Sequence, residues 1–526
     1  MTGRIPRTNP ARGEQPSQPP IRESEMEAHD MPHGSPHSAG DATAGTASAE
    51  AARCPVDHSA QRAQTVIPET ALTGPKIPVP LQLAILRKRP TKFADWCRNR
   101  YGSRYKVSIM PNSRLYMLSD PDEVRAMFMA PRDVIHTGNS NHAIEKFTGQ
   151  SGLAWLDEDE HKVRRKQLMP SFKGTSLKRI EASINARIQR DIAAWPREQA
   201  LWVHPRAHIF TMEVIREVIF GKMVPSRWPE LFEVLMKMMR VNRRPAGIIM
   251  PHRMRPAVVR ALAAIPPVGL GHFIEHRKRA DALIAEAVKE RMDAGELGDD
   301  MLSLLLGITH EDGSLLSASE MRDEMMTIFL AGTETVAASV SWALEFLSLE
   351  HEVRSRLIAE IEEGTSDTYL TAVIYEVLRM RPPLTHIITR EVVKPIEIGG
   401  VRYEPGARLW ANAYLVNHDP SRYPEPHLFR PERFLGVNPG NHTWIPFGGG
   451  ATRCLGDRIA MVELKAVIRE VLMTCELQRV NPRPAELHGR GIVLVPDTGA
   501  RLVLRPRVRK PEPVNSDEQQ AACPTR

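Results

Sequence analysis

Residues 321–363, MRDEMMTIFLAGTETVAASVSWALEFLSLEHEVRSRLIAEIEE, place apolar side chains at three- and four-residue steps along one continuous run. A helix apolar on most sides has to be sheathed in protein on most sides, so the rest of the chain must fold around it. Three further runs carry the same periodicity: SLKRIEASINARIQRDIAAW, FTMEVIREVIFG and HFIEHRKRADALIAEAVKERMDAG. Strand-like runs are short. YKVSIM and RLYMLSD flank a Pro-Asn turn, residues 391–416 hold Gly399-Gly400 between β-like runs, and GIVLVPDTGARLVLRP reads as a late hairpin. The fold class expected is mainly α with small β-sheets (α+β), as one large domain over 71–510 built on a long central helix. No linker divides that region. Residues 1–70, with the low-complexity stretch GSPHSAGDATAGTASAEAA, and residues 511–526 read as disordered, because they bury too little apolar surface to offset their ordering entropy.

Composition narrows the function. Over 526 residues the net charge is +7, with 25% charged and 6% aromatic residues, and no basic run is interleaved with aromatics. Nucleic acid is therefore not expected as a partner. The five cysteines, Cys54, Cys97, Cys454, Cys475 and Cys523, are scattered and odd in number, which fits a reducing cytoplasm better than a disulfide framework. The N-terminal run has no apolar core of a secretory signal, and no stretch reads as a transmembrane anchor.

The chemistry concentrates in residues 444–460, WIPFGGGATRCLGDRIA. A proline and three successive glycines break any regular element. Cys454 follows, and LGDRIAMVELKAVIREVLMTCEL resumes helical periodicity. Cys454 thus stands where a glycine-rich loop enters a helix, a place that favours a thiolate. The glycines let backbone pass close to a flat bulky group, and Phe447 lies near the sulfur. A lone thiolate there is a nucleophile or a single axial metal ligand, and an inert buried cysteine is the plain alternative.

Phe447, Gly448, Gly450, Cys454 and Gly456 together resemble the cysteine loop of the cytochrome P450 family, the haem-thiolate monooxygenases. The family's Arg or His is replaced by Thr452, with Arg453 one step later. Four other segments extend the resemblance. Ala331-Gly332-Thr333-Glu334-Thr335 is similar to the family's oxygen-activation motif, with Gly332 permitting approach of a flat ligand and Glu334 and Thr335 as the acid–alcohol pair. Glu376 and Arg379, with Arg433, match its buried structural network. His161, Arg165 and Arg390 match its haem-propionate contacts, and His418 is a further candidate. Residues 385–389 fall where the family lines the distal face of the haem, and 299–307 precede the central helix.

The resemblance implies haem b (iron protoporphyrin IX), bound through Cys454 as axial ligand and flanked by Phe447, Gly448, Gly456 and Ala331. It implies insertion of one oxygen atom from O2 into a small hydrophobic substrate. Electrons come from a separate ferredoxin-type donor with its reductase, since no flavin or iron–sulfur pattern is present. Lys162, Arg164, Lys166, Arg458 and Lys465 are candidate cations for steering that donor. Methionine-rich residues 219–275 fall where the family has its access lid. A peroxide-using or peroxide-isomerising haem-thiolate enzyme and a non-catalytic haem sensor are the competing readings; the Glu334–Thr335 pair counts against both.

Overall fold

The long apolar run becomes the axis of the protein as the helix Ala318–Leu349. Ser317 opens it with a capping box: its hydroxyl accepts from the Glu320 N–H while the Glu320 carboxylate accepts from the Ser317 N–H. The computed structural model describes residues 66–109, 114–138, 144–241, 270–490 and 493–507, all within one unit of the chain, 63–526. By length and hydropathy the central helix could cross a membrane, but 72% of its most apolar window is buried in the protein, as a core helix requires. It does not run to 363. Glu350 leaves helical geometry at ψ 82°, and His351–Glu363 is a separate helix with only Leu357 buried. The apolar face ends at Leu349, so nothing holds the second segment in line with the first.

Helix Val203–Phe220 lies against the central helix. Gly332 is the point of closest approach: a Cβ there would overlap Ile215 Cδ1. Thr211 Oγ1 on the same helix donates to the Thr333 carbonyl at 3.2 Å. The missing side chain of Gly332 therefore admits a neighbouring helix, where the sequence reading gave that space to a flat ligand.

Around this core lie helices Gly174–Ala193, Trp228–Val241, Leu270–Ala294, Thr368–Met380 and Asp457–Thr474. A five-stranded sheet runs in the order Arg104–Val107, Leu115–Leu118, Arg408–Ala411, Arg390–Val392 and Ile135–His136. Gly399 and Gly400, both at positive φ, turn strand Ile396–Ile398 into Val401–Tyr403 as the sequence predicts. The late hairpin does not form. Val493–Pro496 pairs with Leu487–Arg490, whereas Arg501–Pro506 pairs with Cys475–Arg479 and Ala200–Trp202. Strand order here is set by partners distant in sequence, which a local pattern does not reveal. The helix after the cysteine likewise ends at Thr474, and Cys475 begins a strand.

The fold begins earlier than residue 71. Ile67 and Pro68 pair in parallel with Val401 and Arg402, and the buried Glu69 carboxylate accepts from Arg114 and from the Glu404 N–H. The segments read as disordered lie otherwise outside the described residues, as do Cys54 and Cys523, the Pro-Asn turn and residues 242–269 of the lid.

Candidate active site

The loop before Cys454 is shaped by what it packs on. Gly448 and Gly450 sit at φ +67° and +65°, a region that side chains disfavour. A Cβ at Gly449 would overlap the Phe128 ring, and one at Gly450 the Phe128 carbonyl. Two of the three glycines thus serve contact with helix Pro121–Met129. Only at Gly448, and at Gly456 beyond the cysteine, would a Cβ meet open space. The Cys454 N–H donates to the Phe447 carbonyl at 3.0 Å, and the Gly456 N–H donates to the sulfur. The Phe447 ring lies edge-on to Trp444, 5.8 Å between centroids.

Cys454 is exposed by surface area yet surrounded by protein on all sides. Both hold because its sulfur faces an internal hollow. Ala331, midway along a buried helix, is likewise exposed, and Thr335 one turn on is partly so. Burial pushes the Cys454 thiol up, against the opposing pull of the Gly456 N–H, Arg453 and Arg165. The expected low-pKa thiolate is therefore not produced by the polypeptide alone, because the helix starts three residues later, at Asp457, and desolvation outweighs it. A metal cation bound at the sulfur would supply the missing stabilisation of the thiolate.

A basic cluster borders the hollow. Arg390 is buried; it donates to the Gly449 carbonyl at 2.9 Å and to Thr452 Oγ1 at 2.8 Å, and its Nε has no hydrogen-bond partner among the described residues. Burial holds its guanidinium down to about 10. Thr452 therefore serves as a seat for Arg390 at the position where the family carries a base. His161 is buried and held down to about 4, first by desolvation and then by Arg132, Arg165 and Arg390. Arg132, which the sequence did not single out, reaches His161 Nδ1 at 3.3 Å. The charge of Arg165 is felt at Cys454, and burial lowers its pKa as well. Buried Arg390 and half-buried Arg132 and Arg165, with Asp157 the acid that offsets them at His161, form a place for anionic groups. Haem, with a metal to bind sulfur, a flat ring and two carboxylates, fits these residues.

The predicted structural network forms. Glu376 and Arg379 are fully buried and paired through two contacts of 2.7 and 2.8 Å, and Arg433 Nε approaches Glu376 at 3.4 Å. Arg379 also donates to the Asn417 carbonyl at 3.0 Å. His418 belongs to this side of the molecule: its Nδ1 meets the Tyr414 carbonyl at 2.8 Å, and Arg379, Arg381 and His427 are its charged neighbours. It does not join His161 and Arg390, because the helix Ala413–Asn417 turns it inward against Tyr414.

The acid–alcohol pair is aimed in two directions. Thr335 Oγ1 donates to the Ala331 carbonyl at 2.6 Å. Glu334, about 100° around the helix, turns its carboxylate to His204 and His208 of Val203–Phe220 and to Arg490. Neither histidine was singled out by sequence, although their four-residue spacing on an apolar helix was visible. Among the candidate donor-facing cations, Lys162, Lys166 and Arg458 are exposed. Arg164 is buried against Glu320 and Glu324 and is structural, and Lys465 reaches Asp367 at 3.5 Å.

The fold and the site define a haem-thiolate enzyme. The family model of cytochrome P450 matches residues 73–503, and the chain belongs to that family. Cytochrome P450 135B1 of Mycobacterium tuberculosis is 30% identical over 465 residues, covering 86% of this chain and 95% of that one. Cytochrome P450 137 of the same species is 33% identical, covering 77% and 84%. The solved structure of a retinoic acid-bound cyanobacterial CYP120A1 superposes with a TM-score of 0.72 at 21% identity, covering 84% of this chain and all of that one. The protein is a cytochrome P450 monooxygenase whose cofactor is haem b.

Proposed function

We propose that Cys454 is the axial ligand and that the hollow between it and Ala331 receives a small hydrophobic substrate. The observation that carries this is the Cys454 sulfur, deep in the protein and turned to the hollow with the Gly456 N–H as its hydrogen-bond donor. When bound, haem supplies the dioxygen chemistry. Arg390, His161, Arg165 and Arg132 hold its carboxylates, and the Gly456 N–H tempers the charge on the sulfur. Gly448 and Gly456 leave room for the ring, and Phe447 and Ala331 bound it.

Glu334 and Thr335 manage protons. The Thr335 hydroxyl keeps the Ala331 carbonyl occupied at 2.6 Å and offers its oxygen to the distal side, while Glu334, one residue away, relays protons through water. Substrate selection falls to apolar surface. Ile388, within the 385–389 segment, is 42% exposed. Electrons come from a ferredoxin-type protein and its reductase, drawn to Lys162, Lys166 and Arg458, in the cytoplasm, where the free Cys97 and Cys475 remain reduced.

Cys454→Ser tests the assignment. The purified variant is expected to lose the thiolate-type Soret band of its reduced carbon-monoxide adduct; an unchanged band removes Cys454 from the iron.

A further inference from the structure

Residues 384–390 wall the space between the central helix and the cysteine loop. At one end Leu384 packs on the cluster of Ala338, Val493 and Val495; at the other Arg390 donates to the Gly449 carbonyl and to Thr452 Oγ1. Ala338 lies seven residues on from Ala331 and shares its face of the helix. An antiparallel bridge between His386 and Asn412, and the run into strand Arg390–Val392, keep the segment extended. Its side chains alternate. Thr385 and Ile387 are buried, Ile387 in the core that holds Leu409 and Ala411, whereas His386 is partly open and Ile388 exposed. Alternate residues of an extended chain share a side, so His386 and Ile388 face the hollow together. His386 has accessible surface yet is surrounded by protein, as Cys454 is, and an internal hollow beside the ring accounts for both.

The ring is fixed in plane and in protonation. It stacks on Trp410 with 4.3 Å between centroids, and Trp410 Nε1 donates to the Ile387 carbonyl at 2.6 Å. The Leu415 N–H donates to Asn412 Oδ1 at 2.9 Å, so the buried amide turns its nitrogen to the imidazole: Asn412 Nδ2 stands 3.1 Å from His386 Nε2. An amide nitrogen donates, so Nε2 accepts and the ring proton sits on Nδ1. Burial holds the ring down to about 3, which keeps it neutral at any working pH. Among the described residues no group accepts a hydrogen bond from Nδ1. A carboxylate brought here would lose its water for one neutral N–H, whereas an uncharged oxygen is matched by that donor alone.

We propose that His386 is a specificity-determining residue whose Nδ1–H receives an uncharged oxygen acceptor, a ketone or ether oxygen, on an otherwise apolar substrate. This rests on the hollow being the substrate site. One donor on an apolar wall sets orientation as well as identity. With the oxygen held at His386, the carbons turned toward Cys454 are those at a fixed reach from it. A hydrocarbon of the same shape leaves the N–H desolvated and unmatched, which is the costly case.

The experiment measures Soret-shift dissociation constants of the holoenzyme for probe pairs that share a skeleton with and without the oxygen: adamantanone with adamantane, and cyclododecanone with cyclododecane. Wild type is compared with His386→Phe, which keeps a ring on Trp410 and removes the N–H. Ketone binding is expected to weaken about tenfold in the variant, and hydrocarbon binding to change by less than about twofold. A second readout needs no change in affinity. The carbonyl stretch of isotope-labelled adamantanone, seen by infrared difference spectroscopy, should lie at lower wavenumber in wild type than in His386→Phe. Equal weakening of both members of each pair, or a stretch that ignores the substitution, overturns the proposal and leaves the hollow standing as the substrate site. Should His386→Phe not take up haem, the wild type decides: a bound stretch equal to that of the ketone in hexane overturns the proposal, and a lower one upholds it. Failure of every probe to move the Soret band removes the hollow as the substrate site and the proposal with it.

Discussion

Asn417 Oδ1 accepts a hydrogen bond from the Ile445 N–H at 3.1 Å, inside the protein. This one amide joins the two parts of the site. The Asn417 main-chain carbonyl takes the Arg379 guanidinium, and its Nδ2 donates to the Arg379 carbonyl at 3.3 Å. Ile445 opens the loop that ends at Cys454. The Tyr423 hydroxyl on the Thr443 carbonyl and the Trp444 indole on the Tyr375 carbonyl hold the same loop from either side.

Asn417→Leu should therefore loosen the cysteine loop without touching it. Leaving the Ile445 N–H and the Arg379 carbonyl unmatched costs about 1–3 kcal/mol for each group left unsatisfied. We expect a lower melting temperature and a share of carbon-monoxide adduct without the thiolate band. Melting and spectrum equal to wild type would show that the loop is held by its other contacts alone.

Gly449 and Gly450 both meet Phe128, but through different atoms, and their alanine variants should separate accordingly. Gly449→Ala collides with the Phe128 ring, a movable side chain, so Phe128→Leu should recover part of the loss. Gly450→Ala collides with the Phe128 carbonyl and sits at φ +65°, so Phe128→Leu should recover none. Each alanine alone is expected to cost about 1–3 kcal/mol by overpacking. Denaturant midpoints of the four variants and the wild type decide this, and equal rescue of both alanines defeats it.

His161 gives the apoprotein a pH signature. Its folded-state value is about 4 against an ordinary 6.5. Between these values the unfolded chain binds the extra proton and the folded chain does not, so stability rises with pH across the window and is lost as pH falls through it. Each unit is worth about 1.4 kcal/mol, some 3 kcal/mol over the window. His161→Gln should flatten that slope in the apoprotein. Haem carboxylates held at His161, as proposed, would favour its charged form, so wild-type holoprotein should also show a shallower slope. A wild-type slope retained in His161→Gln would place the titration elsewhere.

Where sequence reading succeeded, the signal was local. The cysteine loop was legible because consecutive glycines, a cysteine and a resumed helical period allow few conformations. The Glu376–Arg379 pair was legible as a three-residue step on one helix, and the Gly399-Gly400 turn as two residues able to adopt positive φ. Where it failed, the deciding partner lay far along the chain. Arg164 reads as one more exposed base of a charged helix, until the central helix brings Glu320 and Glu324 against it. Gly332 reads as ligand space until Ile215 fills it, and the last strands read as a hairpin until Cys475–Arg479 and Ala200–Trp202 claim one of them.

The amino-acid order alone determined that this chain wraps an apolar helix and presents one cysteine from a glycine loop, because periodicity and backbone freedom are properties of neighbouring residues. Only the tertiary structure decided which buried charges meet. Arg132 reaches His161, His204 and His208 reach Glu334, and Asn417 reaches Ile445 across contacts that packing creates and that no local spacing encodes. Desolvation gives each of these meetings its strength, and desolvation exists only once the chain has closed around them.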